Sequence, residues 1–427
     1  MQLISSIACI TIFFLSSAYG QTTSLKRFLL TSSTDPAVKA QKEKTDCLRG
    51  SFLESPFVNG IDFRIREDEF DLNQVRYEIR IKPKSIGETR AQYGYNRTRF
   101  MQTDQKNCLI FNNALKERYI LFIEMFQQQT FLRLYDELIA IVDDKIKVMS
   151  QKASSTDFNI NDLIKAEDEN TQLRSDRFDI QKMINVFKDR ACIFLNDTTF
   201  QEFDTTAIIS IDSLINRFEK ASFAIDTNNV YLQNYRLEFQ IAQQRYALEK
   251  ARSRRLVSFL SFAYDNGDRF GELMRRDEGK DYNLNKAYIV EIGLQIPDFA
   301  LSRSQTNQRK ADFLSEKENY EELKRSLTDQ IKKDIADIRS LIDHYRFLKA
   351  RENEVDATSS LKKYVEMGGV DPLVLLLTKE SIIKNRIALA KVRFNVMQNY
   401  IQVLDVAGQL SRRPLINYLS AHNEALN

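Results

Sequence analysis

From Leu314 to Leu348 the residues Tyr320, Leu323, Leu327, Ile331, Ile338, Leu341, Tyr345 and Leu348 recur at threes and fours, with Lys, Arg, Asp and Glu between them. Spacing that follows the helical turn predicts a long helix with a narrow apolar seam, the pattern of a coiled coil. Elsewhere the period falls to two. Ile61, Phe63 and Ile65 alternate with Asp62, Arg64 and Arg66, and Val75, Tyr77, Ile79 and Ile81 alternate with Arg76, Glu78, Arg80 and Lys82. Such runs predict strands with one apolar and one ionic face. Two further strands are expected at 256–264 and 287–297, joined by a polar loop over 265–286 that suits a solvent-facing rim. Alternation of this kind is shared by membrane barrels and by soluble sheets with one buried face, and does not separate them.

Read for repetition, the chain falls into two halves with one order of elements: a short helix, a β-hairpin, a very long helix, a tight turn and a long returning helix. The first half, 21–223, holds a hairpin at about 61–82, helices at about 85–155 and 160–195, and a connecting segment at 196–223. The second, 224–427, holds a hairpin at about 256–296, helices at about 300–366 and 371–410, and a C-terminal tail. Asp35 and Asp226 are expected to cap the short helices. Pro83 and Pro297 mark the strand-to-helix junctions, because proline cannot donate to a ladder. The far turns are Asn159-Ile160-Asn161-Asp162 in the first half and Gly368-Gly369-Val370-Asp371 in the second. About 75 helical residues between junction and turn span on the order of 110 Å, more than a compact domain needs. With 12 Gly and 6 Pro in 427 residues, turns are few and elements long.

The first twenty residues change the picture. An apolar run from Leu3 to Leu15 followed by Ala18-Tyr19-Gly20 predicts a secretory signal peptide over 1–20, with a mature chain from about Gln21. Cys9 sits inside the apolar run, so no lipid anchor is expected. No later stretch is apolar enough to cross a bilayer as a helix, so any crossing is left to strands. The 62 basic against 59 acidic residues leave little net field, which argues against nucleic acid as a partner. Cys47, Cys108 and Cys192 have no CxxC spacing; buried thiols are expected, with a Cys108–Cys192 disulfide as the alternative. Two histidines, His344 and His422, give little material for a metal site or a catalytic triad, and no glycine-rich phosphate motif is present. Carboxylate pairs such as Glu316 and Glu318 or Asp334 and Asp337 are what charged helix surfaces produce by chance, so no enzyme, cofactor or metal is expected.

Three segments carry a resemblance to a known family. Tyr288-Ile-Val-Glu-Ile-Gly-Leu-Gln-Ile-Pro297-Asp-Phe299 is similar to a last strand running through proline into a long helix. Tyr364-Val-Glu-Met-Gly368-Gly369-Val-Asp371-Pro-Leu373-Val-Leu-Leu376 resembles a glycine-containing tip. Asn385 to Leu410, with Arg393, Asn399-Tyr400 and Gly408, resembles a final helix. Together they resemble the TolC family of outer-membrane efflux channels over nearly the whole mature chain. The first half departs more, with no glycine at its tip and an unusually charged hairpin.

The resemblance implies a fold that is mainly α with a small β part: two repeats of hairpin plus long antiparallel coiled-coil helices. Four strands cannot close a barrel in lipid, where open edges leave backbone groups unpaired. By resemblance three copies form a homotrimer whose twelve-stranded barrel continues as an α-helical periplasmic tunnel. It belongs in the outer membrane of a Gram-negative bacterium and works with a periplasmic adaptor and an inner-membrane transporter. Phe63, Ile65, Val75, Tyr77, Ile79 and Ile81 then meet outer-membrane lipid. Asn159, Ile160, Asn161 and Asp162, with Gly368, Gly369, Val370 and Asp371, become the adaptor-facing tips. Some relatives carry acidic residues just beyond the tip; the matching positions here are Leu375 and Thr378, and Lys165 and Asp168, so a cation-binding ring is not expected. Leu375 and Leu376 are candidate gate residues within the apolar run 373–377, against the plainer expectation that these leucines pack between helices. The alternative to a channel is a secreted or periplasmic coiled-coil scaffold without a pore.

Overall fold

A computed structural model describes residues 23–51, 57–67, 75–152, 159–226, 228–265, 287–294, 299–357, 371–421 and 424–426. Expectations at 1–20, Pro297, Gly368, Gly369, Val370 and His422 lie outside the described residues. In chain order the elements are β1 (Thr23–Ser24), α1 (Leu25–Leu30), α2 (Pro36–Ser51), β2 (Val58–Glu67), β3 (Val75–Pro83) and α3 (Ile86–Gln151). They continue with α4 (Ile160–Leu195), β4 (Phe203–Asp204), α5 (Ile211–Lys220), α6 (Val230–Arg252), β5 (Val257–Asp265) and β6 (Ala287–Leu294). The last two are α7 (Phe299–Ala357) and α8 (Pro372–Val406). The protein is mostly helical with a small sheet. The 66 residues of α3 rise about 100 Å at 1.5 Å each.

The chain divides into two compact units, each assembled from separate stretches: residues 1–40, 108–229 and 325–427 form one, residues 41–107 and 230–324 the other. Each unit draws on both halves of the sequence.

The first unit is built on aromatic packing. Phe203 on the short β4 meets Phe28 at 4.9 Å, Phe122 at 5.1 Å and Phe200 at 4.7 Å between ring centres. Burying each ring contributes about 2–3 kcal/mol. A smaller cluster, Leu138, Ile139, Val142, Leu173 and Ile383, joins α3, α4 and α8 further along. The 10-residue helix α5 is strongly two-sided: Ile211, Leu214, Ile215 and Phe218 are buried, at the threes and fours that put them on one face.

What was expected to be a C-terminal tail is part of this core. Past α8, Gly408 takes φ +72°, where a side chain would be strained and would also meet Asn229. The chain then returns so that Leu410, Leu419 and Leu426 are buried. Tyr119, itself fully buried, donates to the carbonyl of Ile416 and accepts from the amide of Tyr418, both at 3.2 Å. Arg217 donates to the carbonyls of Tyr418 and Ser420. Burial raises the Tyr119 hydroxyl far above the ordinary tyrosine range, so it stays a donor at any working pH.

In the second unit the sheet runs β2-β3-β5-β6, antiparallel throughout. Pro83 is the last residue of β3, and Ser85 caps the helix that follows by accepting from the Glu88 amide at 3.1 Å. The Ser-x-x-Glu spacing suggests a reciprocal cap, but the buried Glu88 carboxylate instead takes Arg255 and Arg252, tying α3 to the end of α6. Phe313 stacks on Phe239 at 5.3 Å between α7 and α6.

Two capping expectations divide. Asp35 accepts from the Ala37 amide at 3.0 Å and begins α2. Asp226 does not cap α6, which starts at Val230: its carboxylate accepts from the Asn228 amide in a turn, and the buried Asn229 stands next to the helix. Asn229, the residue before the helix, is held in place by packing: its side-chain amide donates to the Val406 carbonyl at 2.7 Å.

Candidate channel sheet and helix tips

Period-two alternation puts most apolar residues of the four strands on one face, with Phe259, Ala263 and Ile289 on the other, and the register lines them up in rows. Ile61 pairs with Ile81, Ile81 with Leu260 and Leu260 with Ile292. The next row is Phe63, Ile79, Phe262 and Val290, and the third is Ile65, Tyr77, Tyr264 and Tyr288. In a water-soluble sheet such rows would be covered. Here Phe63 is 62%, Ile65 61%, Val290 63% and Tyr288 84% exposed, with Tyr77 and Ile79 less so. Val75 and Ile81 are half-buried.

The ionic residues hold the sheltered face. Glu78 is fully buried in a sheet whose apolar side chains are not. Arg80 approaches it at 2.9 Å and Arg66 at 3.6 Å. Asp62 pairs with Lys82 at 2.9 Å and Arg64 at 3.7 Å, and Arg76 reaches across two strands to Glu291 at 2.6 Å. Arg80 also lies 4.0 Å from the centre of the Phe259 ring. That ring occupies space left by Gly293, where an added Cβ would come within 2.3 Å of it. The Arg80 stack is thus a consequence of one glycine in a strand.

β2 and β6 are the two edges of this sheet and pair with no strand among the described residues on their outer sides. Two open edges and an uncovered apolar face are both costly in water, and both point to partners outside the single chain.

The residues expected at the helix tips belong to the first unit. Asn159 begins α4, its side chain accepting from the Asn161 amide at 3.1 Å, and Ile160, Asn161 and Asp162 are exposed. Asp371 begins α8 in the same way, accepting from Leu373 at 3.0 Å with Pro372 in the first turn. Lys152, just past α3, donates to both Asp371 oxygens at 2.7 Å. Those hydrogen bonds, first that from Lys152 and then that from Leu373, hold the Asp371 carboxyl below its ordinary range.

The candidate gate pair Leu375 and Leu376 is half-buried, whereas Val374 and Leu377, one helical step apart, are exposed. They line a groove of about 510 Å³ with Arg351, Glu352, Thr378 and Ser381. The Thr378 hydroxyl is turned onto its own helix, donating to the Val374 carbonyl at 2.9 Å, and Lys165 faces Asp162 at 3.8 Å.

One turn further along is a closed ring of charges that the sequence reading missed. Lys145 meets Glu380 at 2.9 Å and Glu169 at 3.4 Å, while Lys384 meets both glutamates at 2.6 Å. Three helices, α3, α4 and α8, are joined by four side chains. Burial acts to raise the Glu380 carboxyl, but the hydrogen bonds from Lys384 and Lys145 outweigh it and leave it below the ordinary range. Only the i,i+4 spacing of Glu380 and Lys384 signals this in sequence.

Cys47 and Cys108 are exposed and Cys192 is half-buried, none of them in a disulfide, which corrects the expectation of buried thiols. All three lie on helix faces where an apolar seam could equally have taken them inside. Among the described residues no cluster of His, Cys, Asp or Glu is placed to hold a metal, and no helix is long and apolar enough to cross a membrane.

The fold is similar to solved outer-membrane channels. VceC of Vibrio cholerae superposes with a TM-score of 0.68 at 10% identity, over 90% of this chain and 96% of that one. The open state of MtrE from Neisseria gonorrhoeae gives 0.66 at 10% identity, over 94% and 91%. CmeC of Campylobacter jejuni gives 0.61 at 10% identity, over 94% and 86%. No protein-family model matches the chain, and no curated protein matches it in sequence. The chain has the fold of the TolC-family outer-membrane channels, reached with a tenth of the residues in common.

Proposed function

We propose that this chain is the outer-membrane channel subunit of a tripartite export system. The observation that carries the reading is the sheet, with its apolar rows largely exposed, its ionic residues paired around a buried Glu78 and both edges open. Lipid is the medium in which that inversion is stable: the apolar rows face acyl chains and the charged face lines water. Closure removes the edges. Three copies, pairing β2 of one with β6 of the next, make twelve strands, and the helices of three copies continue them into the periplasm as a tunnel.

Substrates cross this conduit passively, and the energy comes from an inner-membrane transporter coupled through a periplasmic adaptor. Asn159 to Asp162 and the 368–371 turn are the adaptor-facing tips. The Lys152–Asp371 pair and the Lys145–Glu380–Lys384–Glu169 ring join α3 to α8 near those tips, so they favour one arrangement of the helices until a partner offers better contacts. Leu375 and Leu376, with Val374 and Leu377 beside them, form the apolar constriction.

The test is single-channel conductance of the purified protein in planar bilayers, after its trimer mass is established. Discrete steps are expected, larger or more frequent in Lys152→Ala. A monomer that stays in the soluble periplasmic fraction and never conducts would replace the channel by the coiled-coil scaffold.

A further inference from the structure

The ionic face of the sheet is not balanced. Among the described residues its acidic positions are Asp62, Glu78 and Glu291, with Asp265 in register opposite Arg76 at the end of the ladder, four in all. Against these stand five basic positions, Arg64, Arg66, Arg76, Arg80 and Lys82. What solvent meets is more one-sided than the count. The Glu78 side chain is 1% exposed beneath two arginines, leaving Asp62 at 35% and Glu291 at 42% against Arg66 at 50%, Lys82 at 44% and Arg64 at 38%. The Asp62 and Glu291 carboxylates already accept from Lys82 and Arg76 at 2.9 and 2.6 Å. Arg64 and Arg66 are the second partners of acids that have a closer one, so their forks have donors to spare. Arg66 also stands directly opposite Arg76, a like-charge pair that costs stability alone and that a passing anion relieves.

We infer that the ionic face of the sheet makes the pore prefer anions, and that carboxylate-, phosphate- or sulfate-bearing solutes pass it more readily than cations of similar size. The inference rests on the barrel reading above. Threefold repetition of the one-charge surplus puts a ring of partly compensated guanidinium groups around the lumen, and a low-dielectric wall strengthens its field. The donors are matched to planar and tetrahedral oxyanions. Because salt screens over about 10 Å at 0.1 M, the preference weakens as salt rises.

The test is the reversal potential of the bilayer-inserted trimer under a potassium chloride gradient. Chloride is expected to be favoured over potassium by about two- to threefold near 0.1 M salt, and less at 1 M. Arg64→Gln/Arg66→Gln should bring the ratio to one or below, and Arg64→Lys/Arg66→Lys should keep it, which separates charge from strand packing. Conductance steps with a cation preference, or a Gln variant indistinguishable from the parent, overturn the inference and leave the pore standing. Trimers confirmed in the bilayer that never conduct overturn both.

Discussion

Gly293 and Tyr119 show how single residues act at a distance from their place in the sequence. Gly293→Ala puts a methyl group into the Phe259 ring, and overpacking of that kind costs about 1–3 kcal/mol. The ring must leave Arg80, so the thermal midpoint is expected to fall while α-helical content before the transition is unchanged. Tyr119→Phe removes one donor and one acceptor from a buried site, leaving the Ile416 carbonyl and the Tyr418 amide without that partner. A loss of about 1–3 kcal/mol is expected, read as a lower thermal midpoint and faster proteolysis after Arg412. At the tip, Asp371→Ala removes a helix cap worth about 1 kcal/mol and the partner of Lys152 together. Its effect on conductance should exceed that of an exposed neighbour such as Lys379→Ala.

Among elements, α3, α4 and α8 are joined by the charge ring together with the apolar cluster of Leu138, Ile139, Val142, Leu173 and Ile383. Removing Glu380 leaves Lys145, whose side chain is 11% exposed, with only the longer 3.4 Å contact to Glu169, and a buried charge that loses its closer partner is destabilising. Glu380→Gln is therefore expected to destabilise the first unit at neutral pH. The pH dependence has a fixed sign. The folded-state pKa of Glu380 is depressed, so its contribution is complete above the ordinary glutamate value of 4.5 and is lost as pH falls through the lower folded value. Thermal unfolding from pH 7 to 3 should show the parent and Glu380→Gln converging below about pH 4.5. Curves that stay parallel throughout would mean that the ring adds nothing to stability.

For the whole molecule the deciding quantity is the medium around the sheet. A charge on the lipid face of a barrel costs about 2–4 kcal/mol near the bilayer midplane, and a homotrimer repeats that cost in every copy. Phe63→Arg/Ile79→Arg is expected to abolish outer-membrane insertion. Asp62→Asn, on the ionic face of the same strand, should still fractionate with the outer membrane. Equal behaviour of the two variants would remove the lipid assignment of Phe63 and Ile79, and with it the main support for a pore.

Much of this was legible in the chain. The switch from period two to period three-and-a-half fixes which stretches are strand and which are helix, and alternation fixes which residues share a face: Phe63 with Ile65, Glu78 with Arg80. Proline at 83 stops a ladder wherever the strand packs. These are local properties, set by backbone geometry within a few residues. What surrounds each face is not local. Whether the apolar rows are covered depends on four strands from two distant segments and on what lies beyond their edges. The same holds for Tyr119, whose partners lie about 300 residues away, and for Glu380, which meets Lys145 from another helix. Asn229 rather than Asp226 stands next to α6, held in place where the carbonyl of Val406 receives its amide. The sequence by itself determined the elements and their faces, since periodicity is written in neighbouring residues. Only the tertiary structure decided the two units, the burial of the C-terminal segment and the charge ring, because each depends on distances between residues that no local pattern relates.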